Sequence, residues 1–376
     1  MKHRKTIIEA VIILITLSAI SFAQETVKKS FPLSEGGNLK VAINFGNIIY
    51  TPGSGSRVEV EGKNIIQEEL GLFTVQKQGN TIKVEFRGED SDDFELEISG
   101  LSKINLDFST GGGNIKLKGD VSGKVEILTG GGNISTDNIY GTIDISTAGG
   151  NIKLGNIKGK ADVSTAGGDM KLGNIDGEAD INTAGGNIKV GNITHTAQIS
   201  TAGGNISVEN VGGDAEVSTA GGNIKVNYVS GSAKINTAGG NIKLSGASGK
   251  VETNSGAGNL KLKNIKGPIE ANTGAGNIYA ELYPDGKSKS EFNSGVGNIT
   301  LLIPSSANAT IIAKTNVLMW GNDENKMDQI ESDFEPLSIN KNKNKMQIEA
   351  EYKLNNGGSV IELNVHMGKI KIRKME

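Results

Sequence analysis

With 376 residues, the chain is long enough for more than one globular domain, yet 53 glycines and only 4% aromatic residues would make a poor compact core. The absence of cysteine excludes structural disulfides, thiol catalysis and cysteine-ligated metals. A formal net charge of -3 gives no general case for nucleic acid as a partner.

Residues 1–23 begin with Met1-Lys2-His3-Arg4-Lys5, continue through an apolar run from Ala10 to Phe22, and end on Ser21-Phe22-Ala23. A basic start, an apolar middle and small residues before a cut predict a signal peptide, with Gln24 as the new terminus. The mature protein is therefore expected to be exported, to the periplasm, the outer-membrane surface or the exterior. No later apolar run is long enough for a transmembrane span. Residues 24–34 are polar, and Glu25 to Lys29 is expected to be loose.

From 35 to 100 the apolar residues alternate irregularly, as in Leu39, Val41 and Ile43 and again in Phe94, Leu96 and Ile98. These read as divergent coils that begin and cap a stack, because terminal units must shield their open side. Between 101 and 304 one unit of eighteen residues recurs with little slippage: Thr183-Ala184-Gly185-Gly186-Asn187-Ile188 begins again at Thr201-Ala202-Gly203-Gly204-Asn205-Ile206. Such a repeat takes precedence over other features. From 305 to 376 the pattern dissolves and then resumes; Asn316 to Asn325, which includes Trp320, and Asn340 to Lys345 are expected to be surface loops.

Within a unit the apolar residues fall at period two, as in Ile188 and Val190 and then in Ala197 and Ile199, which is strand spacing. Two short strands separated by glycine-rich turns cannot bury their own apolar side, whereas stacked copies can. Each unit is predicted to be one coil of a parallel stack, with neighbours about 4.8 Å apart. Ile152, Met170, Ile188, Ile206, Ile224, Ile242 and Leu260 then form one buried column. Val163, Ile181, Ile199, Val217 and Ile235 form the opposing one, with Ala161, Ala179, Ala197, Ala215 and Ala233 as small partners. Thr165, Thr183, Thr201, Thr219 and Thr237 are expected to point inward at a corner and reach a neighbour's backbone. The glycines at 168, 186, 204, 222, 240, 258 and 276 are expected at a corner that requires either φ > 0 or close backbone approach. The asparagine after each is expected to form a structural ladder. Tyr283 to Lys289 reads as a turn pushed outward that leaves the core register untouched.

Two outward columns follow from the same register. Lys153, Lys171, Lys189, Lys225, Lys243 and Lys261 fall in one, interrupted by Ser207. Asp144, Asp162, Asp180, Glu216, Glu252 and Glu270 fall in the other, half a coil away, interrupted by Gln198 and Lys234. The plain account is a pair of solvated faces that oppose sheet-to-sheet aggregation. The sharper account is that the lysine strip contacts anionic envelope polysaccharide or lipid headgroups.

The serial Gly-Asn-Ile-x-Leu/Val units and the final Gly368-Lys369-Ile370-Lys371-Ile372, preceded by a signal, resemble the bacterial putative-adhesin family of exported domains. The resemblance spans about Glu35 to Lys374. It implies an all-β, right-handed, single-stranded parallel β-solenoid, or β-helix, and it implies no active-site residues.

The residues themselves offer little site chemistry. His195 and His366 have no metal-ligand spacing, and no glycine turn carries the Gly-Lys-Ser/Thr ending of a phosphate loop. His195 stands in a column otherwise held by glycine, where His tolerates φ > 0 better than most residues. A calcium-binding repeat would place Asp in nearly every turn, but Asp169 is an exception among asparagines. A glycosidase would need one repeat made special around a cleft. The sequence therefore reads as an exported scaffold or adhesin-like binding protein that is not an enzyme and uses no cofactor or metal. Its partners would be envelope or extracellular polysaccharide or another surface protein. A polysaccharide-active enzyme and a purely structural envelope protein are the alternatives.

Overall fold

The computed structural model describes residues 24–89, 91, 93–316, 329–342 and 346–375. The expected signal, residues 1–23, and Trp320 lie outside them. One coil contains the strand Ile188–Val190, the bridging residue Ile193 and the strand Ala197–Thr201. The next coil lies parallel to it and eighteen positions later: Ile188 pairs with Ile206, and Thr201 with Thr219. Repetition of this step builds two long parallel sheets, and the chain is a β-solenoid.

The alternation of inward and outward residues follows the expected pattern. Ile188, Val190, Ala197 and Ile199 are buried, while Lys189 and Gln198 between them are exposed. A third inward column was missed in the sequence. Ile157, Ile175, Ile193 and Val211 bridge to one another in parallel between the two main strands, and all are buried. Each coil thus has a third, narrower side where a plain turn was expected. It brings a second asparagine ladder: the side-chain oxygen of Asn174 accepts both the backbone and side-chain N–H of Asn192, at 2.9 and 3.1 Å.

The corner between the second sheet and the next coil is held by threonine. The Thr201 hydroxyl donates to the Gly186 carbonyl of the preceding coil at 3.0 Å, and its oxygen accepts the Gly204 N–H at 3.3 Å. This satisfies polar groups at a buried bend, where an unpaired group would be costly. Close approach accounts for Gly186, whose backbone is not at positive φ. A Cβ there would lie 1.9 Å from the Gly168 carbonyl oxygen, far inside contact distance. Beside the corner runs the expected ladder, in which Asn187 Oδ1 accepts the backbone and side-chain N–H of Asn205 at 2.9 and 3.1 Å.

Both ends depart from a simple run of coils in chain order. The first coil, Gly37–Ile43 and Asn47–Gly53, is an inner coil. On one side it pairs with Thr81–Phe86 and Glu95–Leu101, and on the other with Ile104–Thr110 and Ile115–Leu117. At the far end the last coil, Ser359–Met367 and Ile370–Met375, is inserted between Ser290–Pro304 and the outer strands Ala309–Asn316 and Ile330–Ser332. Antiparallel strands finish both stacks. At the first end these are Phe73–Gln78, and Arg57–Ile66 followed by Gln24–Pro32; at the second they are Gln347–Leu354 followed by Ser338–Asn342, while the other sheet ends on the parallel strand Ile330–Ser332. The scarce aromatics cluster at the first end, where the Phe86 and Phe94 rings stack with centroids 4.0 Å apart.

Three local expectations are corrected. Glu25 to Lys29 is part of the strand Gln24–Pro32, paired antiparallel to Arg57–Ile66, because Val27 and Phe31 pack against the core. Part of the expected loop at Asn340 is the strand Ser338–Asn342, paired with Gln347–Leu354. His195 is not at positive φ; its backbone N–H donates to the Gly177 carbonyl at 3.3 Å, and the column continues through it. The Tyr283 extension does leave the register intact, since Ala271 pairs with Phe292 beyond it.

Candidate binding surface

Strand periodicity turns every second residue of the first sheet outward, and the eighteen-residue step places equivalent residues side by side. Lys153 pairs with Lys171, and Lys171 with Lys189. After Ser207 the column resumes at Lys225, Lys243 and Lys261. All six ammonium-bearing residues are exposed. Among the described residues none of the six forms an ion pair, although other lysines of the chain do.

The column is longer than the sequence reading made it. Toward the first end Ser135 pairs with both Lys153 and Lys116. Toward the second end Lys261 pairs with Tyr279, whose ring lies 5.7 Å from the Nζ of both Lys261 and Lys263. The Tyr279 hydroxyl donates to Glu281, which also holds Lys263 at 2.9 Å. The signal for Lys116 was legible in Gly113-Asn114-Ile115-Lys116-Leu117.

The opposite column differs in character. Asp144, Asp162 and Asp180 are paired in register, as are Glu252 and Glu270. Much of this face is neutralised from within. Lys234 binds Glu216 at 3.0 Å, Lys250 lies 3.5 Å from Glu270, and Lys289 reaches Glu362 at 3.1 Å. Lys234, the interruption already visible in the column, and Lys250 and Lys289, which flank it, thus make this face less acidic than its spacing alone suggests. Asp144, Asp162 and Asp180 form no direct ion pair among the described residues, although Lys124 acts on Asp144 and Lys160 on Asp162 from farther off. Partial burial, then the charges of Asp180 and Asp144, hold the Asp162 carboxyl above its ordinary value. A shallow groove of about 650 Å³ runs along this face between Lys160 and Glu252, floored by Ala179, Ala197, Ala215 and Ala233 and bordered by Lys234 and Lys250 as well as by Asp180 and Glu216.

The Tyr283 extension is built as a latch. Asp285 Oδ1 accepts the N–H groups of Lys287 and Ser288 at 2.8 and 2.7 Å, and its other oxygen accepts the Ser288 hydroxyl at 2.6 Å. Ser359 of the inserted coil also donates to Asp285, at 3.1 Å. The Ser288 hydroxyl and these backbone donors hold the Asp285 carboxyl far below the usual carboxylate range. His195 Nδ1 lies 2.9 Å from the Thr194 hydroxyl, which donates to Asp176. Among the described residues no group of His, Asp and Glu is arranged to hold a metal ion. No helix among them is long and apolar enough to cross a membrane.

The sequence matches no curated protein. The backbone aligns with the crystal structure of a putative cell adhesion protein from Clostridium sporogenes, with 9% identity over 94% of this chain and 100% of the other and a TM-score of 0.21. It also aligns with a putative adhesin from Bacteroides fragilis, at 12% identity over 94% of this chain and 99% of the other, with a TM-score of 0.20. A putative adhesin from Parabacteroides distasonis gives 12% identity over 93% and 97% and a TM-score of 0.22. Likenesses at these scores carry no argument about what the surface binds. The family model Toastrack DUF4097 matches residues 176–373, more than half of the sequence, and the chain belongs to that family.

Proposed function

We propose that this protein is an exported, non-catalytic scaffold whose lysine face holds an extended anionic polymer, such as an acidic polysaccharide of the cell envelope. The observation that carries the reading is the column Lys153, Lys171, Lys189, Lys225, Lys243 and Lys261, exposed and in register on a rigid sheet without internal counter-charges among the described residues. A single exposed ammonium contributes little in water. Several fixed at one pitch raise the effective concentration of each successive contact, which favours a polymer over its short fragments. Such attraction is screened beyond about 8 Å at physiological ionic strength, so retention should weaken with salt. Export rests on the basic start and apolar run of residues 1–23.

The test is retention on purified acidic envelope polysaccharide and on anionic vesicles. Lys153→Glu, Lys171→Glu and Lys189→Glu together should remove most retention while circular dichroism shows an intact β signal. Asp162→Lys with Asp180→Lys on the other face should leave it unchanged or raise it. Equal retention of the triple lysine variant and the parent would reduce the column to a solvated surface.

A further inference from the structure

We infer that the two charged faces are complementary to each other across copies, so that a second copy of this chain docks its lysine column onto the Asp144, Asp162 and Asp180 stretch. The pitch is the first reason. Lys153, Lys171 and Lys189 step by one coil along the first sheet, and Asp144, Asp162 and Asp180 step by one coil along the second. Lys153 and Lys171 share coils with Asp162 and Asp180, and Asp144 lies one coil earlier, so two rods lying side by side with an axial shift of one coil can bring the sets into register. A mismatch in repeat length cannot build up along the contact, because both columns are cut by the same eighteen-residue period.

The second reason is charge balance. Neighbouring carboxylates of this sheet have lysine partners inside the chain, as in Lys234 with Glu216 and Lys250 with Glu270. The three aspartates form no direct ion pair among the described residues, although Lys124 acts on Asp144 and Lys160 on Asp162 from farther off, and the three lysines form none either. The lysine column is therefore unpaired, and the aspartate column only loosely balanced, in the same part of the rod. Stacked carboxylates repel one another, and ammonium groups at the same pitch would reverse that repulsion.

Shape is a third, and it bears on one end of the patch. The lysines are long and project from a sheet face, and a groove floored by alanines adjoins Asp180, with Lys160 at its near end and Lys234 and Lys250 farther along. At that end a lysine stem can lie over an alanine methyl group while its ammonium group meets Asp180. The two patches lie on different sheets of one molecule, so the contact is heterologous and does not close on itself. It would extend sideways into an array in which every inner copy uses both faces.

This inference does not rest on polymer binding, and the two can be separated. The measurement is sedimentation velocity of the full chain over a range of concentrations at low and high salt. It compares the parent with a variant carrying Lys153→Ser, Lys171→Ser and Lys189→Ser, and another carrying Asp144→Asn, Asp162→Asn and Asp180→Asn. Serine already occupies the lysine column at Ser207 and Ser135, so the column accepts it. The parent should form species beyond the dimer at low salt and lose them at high salt, and each variant alone should stay monomeric. Mixing the two variants should give a dimer and nothing larger, because each brings only one working face. The aspartate variant should still be retained on acidic polysaccharide. If a triple variant loses its β signal, the single substitutions Lys171→Ser and Asp162→Asn replace it, each expected to weaken assembly. A parent that stays monomeric at every concentration, a triple variant that assembles as the parent does, or a mixture without dimer would overturn the inference.

Discussion

The side-chain oxygen of Asn298 accepts the backbone N–H of Lys369, 71 positions later, at 2.8 Å, in the geometry that elsewhere joins asparagines eighteen apart. The ladder thus runs without interruption into a coil made by the chain's last strands. At the other end Asn47 Oδ1 accepts the N–H of Asn114 at 2.9 Å, again across a long sequence gap. Each terminal coil is clasped on both sides, so removing one exposes two coils, whereas removing a central unit exposes none.

Deleting the central unit 187–204 should therefore leave a folded, shorter rod, because Ile206 would take the register position of Ile188. Deleting 355–376 should cost far more than its similar length suggests. It strips both Ser290–Pro304 and Ala309–Asn316 of a neighbour and leaves unpaired edges that invite aggregation. Thermal unfolding followed by circular dichroism, together with light scattering, compares the two. Equal damage from the two deletions would contradict the clasped ends.

The inside and outside of the coil are tested by Ile206→Ala and Lys225→Ala. Ile206 is 1% exposed, so its truncation leaves a cavity in a thin core and should cost about 2–5 kcal/mol. Lys225 is exposed and should change stability by less than about 0.5 kcal/mol. Denaturant unfolding reads both values.

Adjacent glycines at one corner should differ sharply in their tolerance of a side chain. A Cβ on Gly186 would meet the Gly168 carbonyl oxygen at 1.9 Å, while on Gly185 the nearest atom is the Gly167 carbonyl oxygen at 3.5 Å. Gly186→Ala must push neighbouring coils apart and should destabilise by more than about 2 kcal/mol. Gly185→Ala should be neutral within about 0.5 kcal/mol, and may be compared with Gly186→Ala in the same unfolding experiment.

The pH dependence of one stacked carboxylate follows from its surroundings. Burial and the neighbouring Asp180 and Asp144 raise the Asp162 pKa in the folded state above 3.8. The native state then holds the proton more tightly than the unfolded chain. The penalty is absent below pH 3.8, grows as pH rises through the native value, and is full above it. Asp162→Asn should stabilise the protein at neutral pH by a few tenths of a kcal/mol, about the size expected after solvent screening. Unfolding at neutral and acidic pH should show that gain closing as the medium becomes acidic.

The regular coils were legible because one residue type repeats at one place: Ile188 above Ile206, Thr183 above Thr201, Lys153 above Lys171. Periodicity names columns but not the order of coils when the chain folds back on itself. The clue at the ends lay in matching units. Gly46-Asn47-Ile48 resembles Gly113-Asn114-Ile115, and Gly297-Asn298-Ile299 resembles Gly368-Lys369-Ile370. Units that share the ladder chemistry stack on each other, while Phe73–Gln78 and Ala309–Asn316, which lack it, lie farther out. The third inward column escaped because Ile157 and Ile193 are single bridging residues, too short to show alternation. The lysine column was readable residue by residue. Its contrast with the other face was not, since the pairing of Lys234, Lys250 and Lys289 depends on side-chain directions that spacing does not fix.

The central claim is that binding is carried by many equivalent lysines in register, and affinity as a function of ligand length tests it most directly. Acidic oligosaccharides of increasing length, cut from one polysaccharide, would be titrated calorimetrically into the parent at fixed salt. Affinity should rise steadily with length as more of Lys153, Lys171, Lys189, Lys225, Lys243 and Lys261 are spanned, and level off once the ligand exceeds the column. Affinity that does not change with length, or that rises equally in the Lys153→Glu, Lys171→Glu and Lys189→Glu variant, would contradict it.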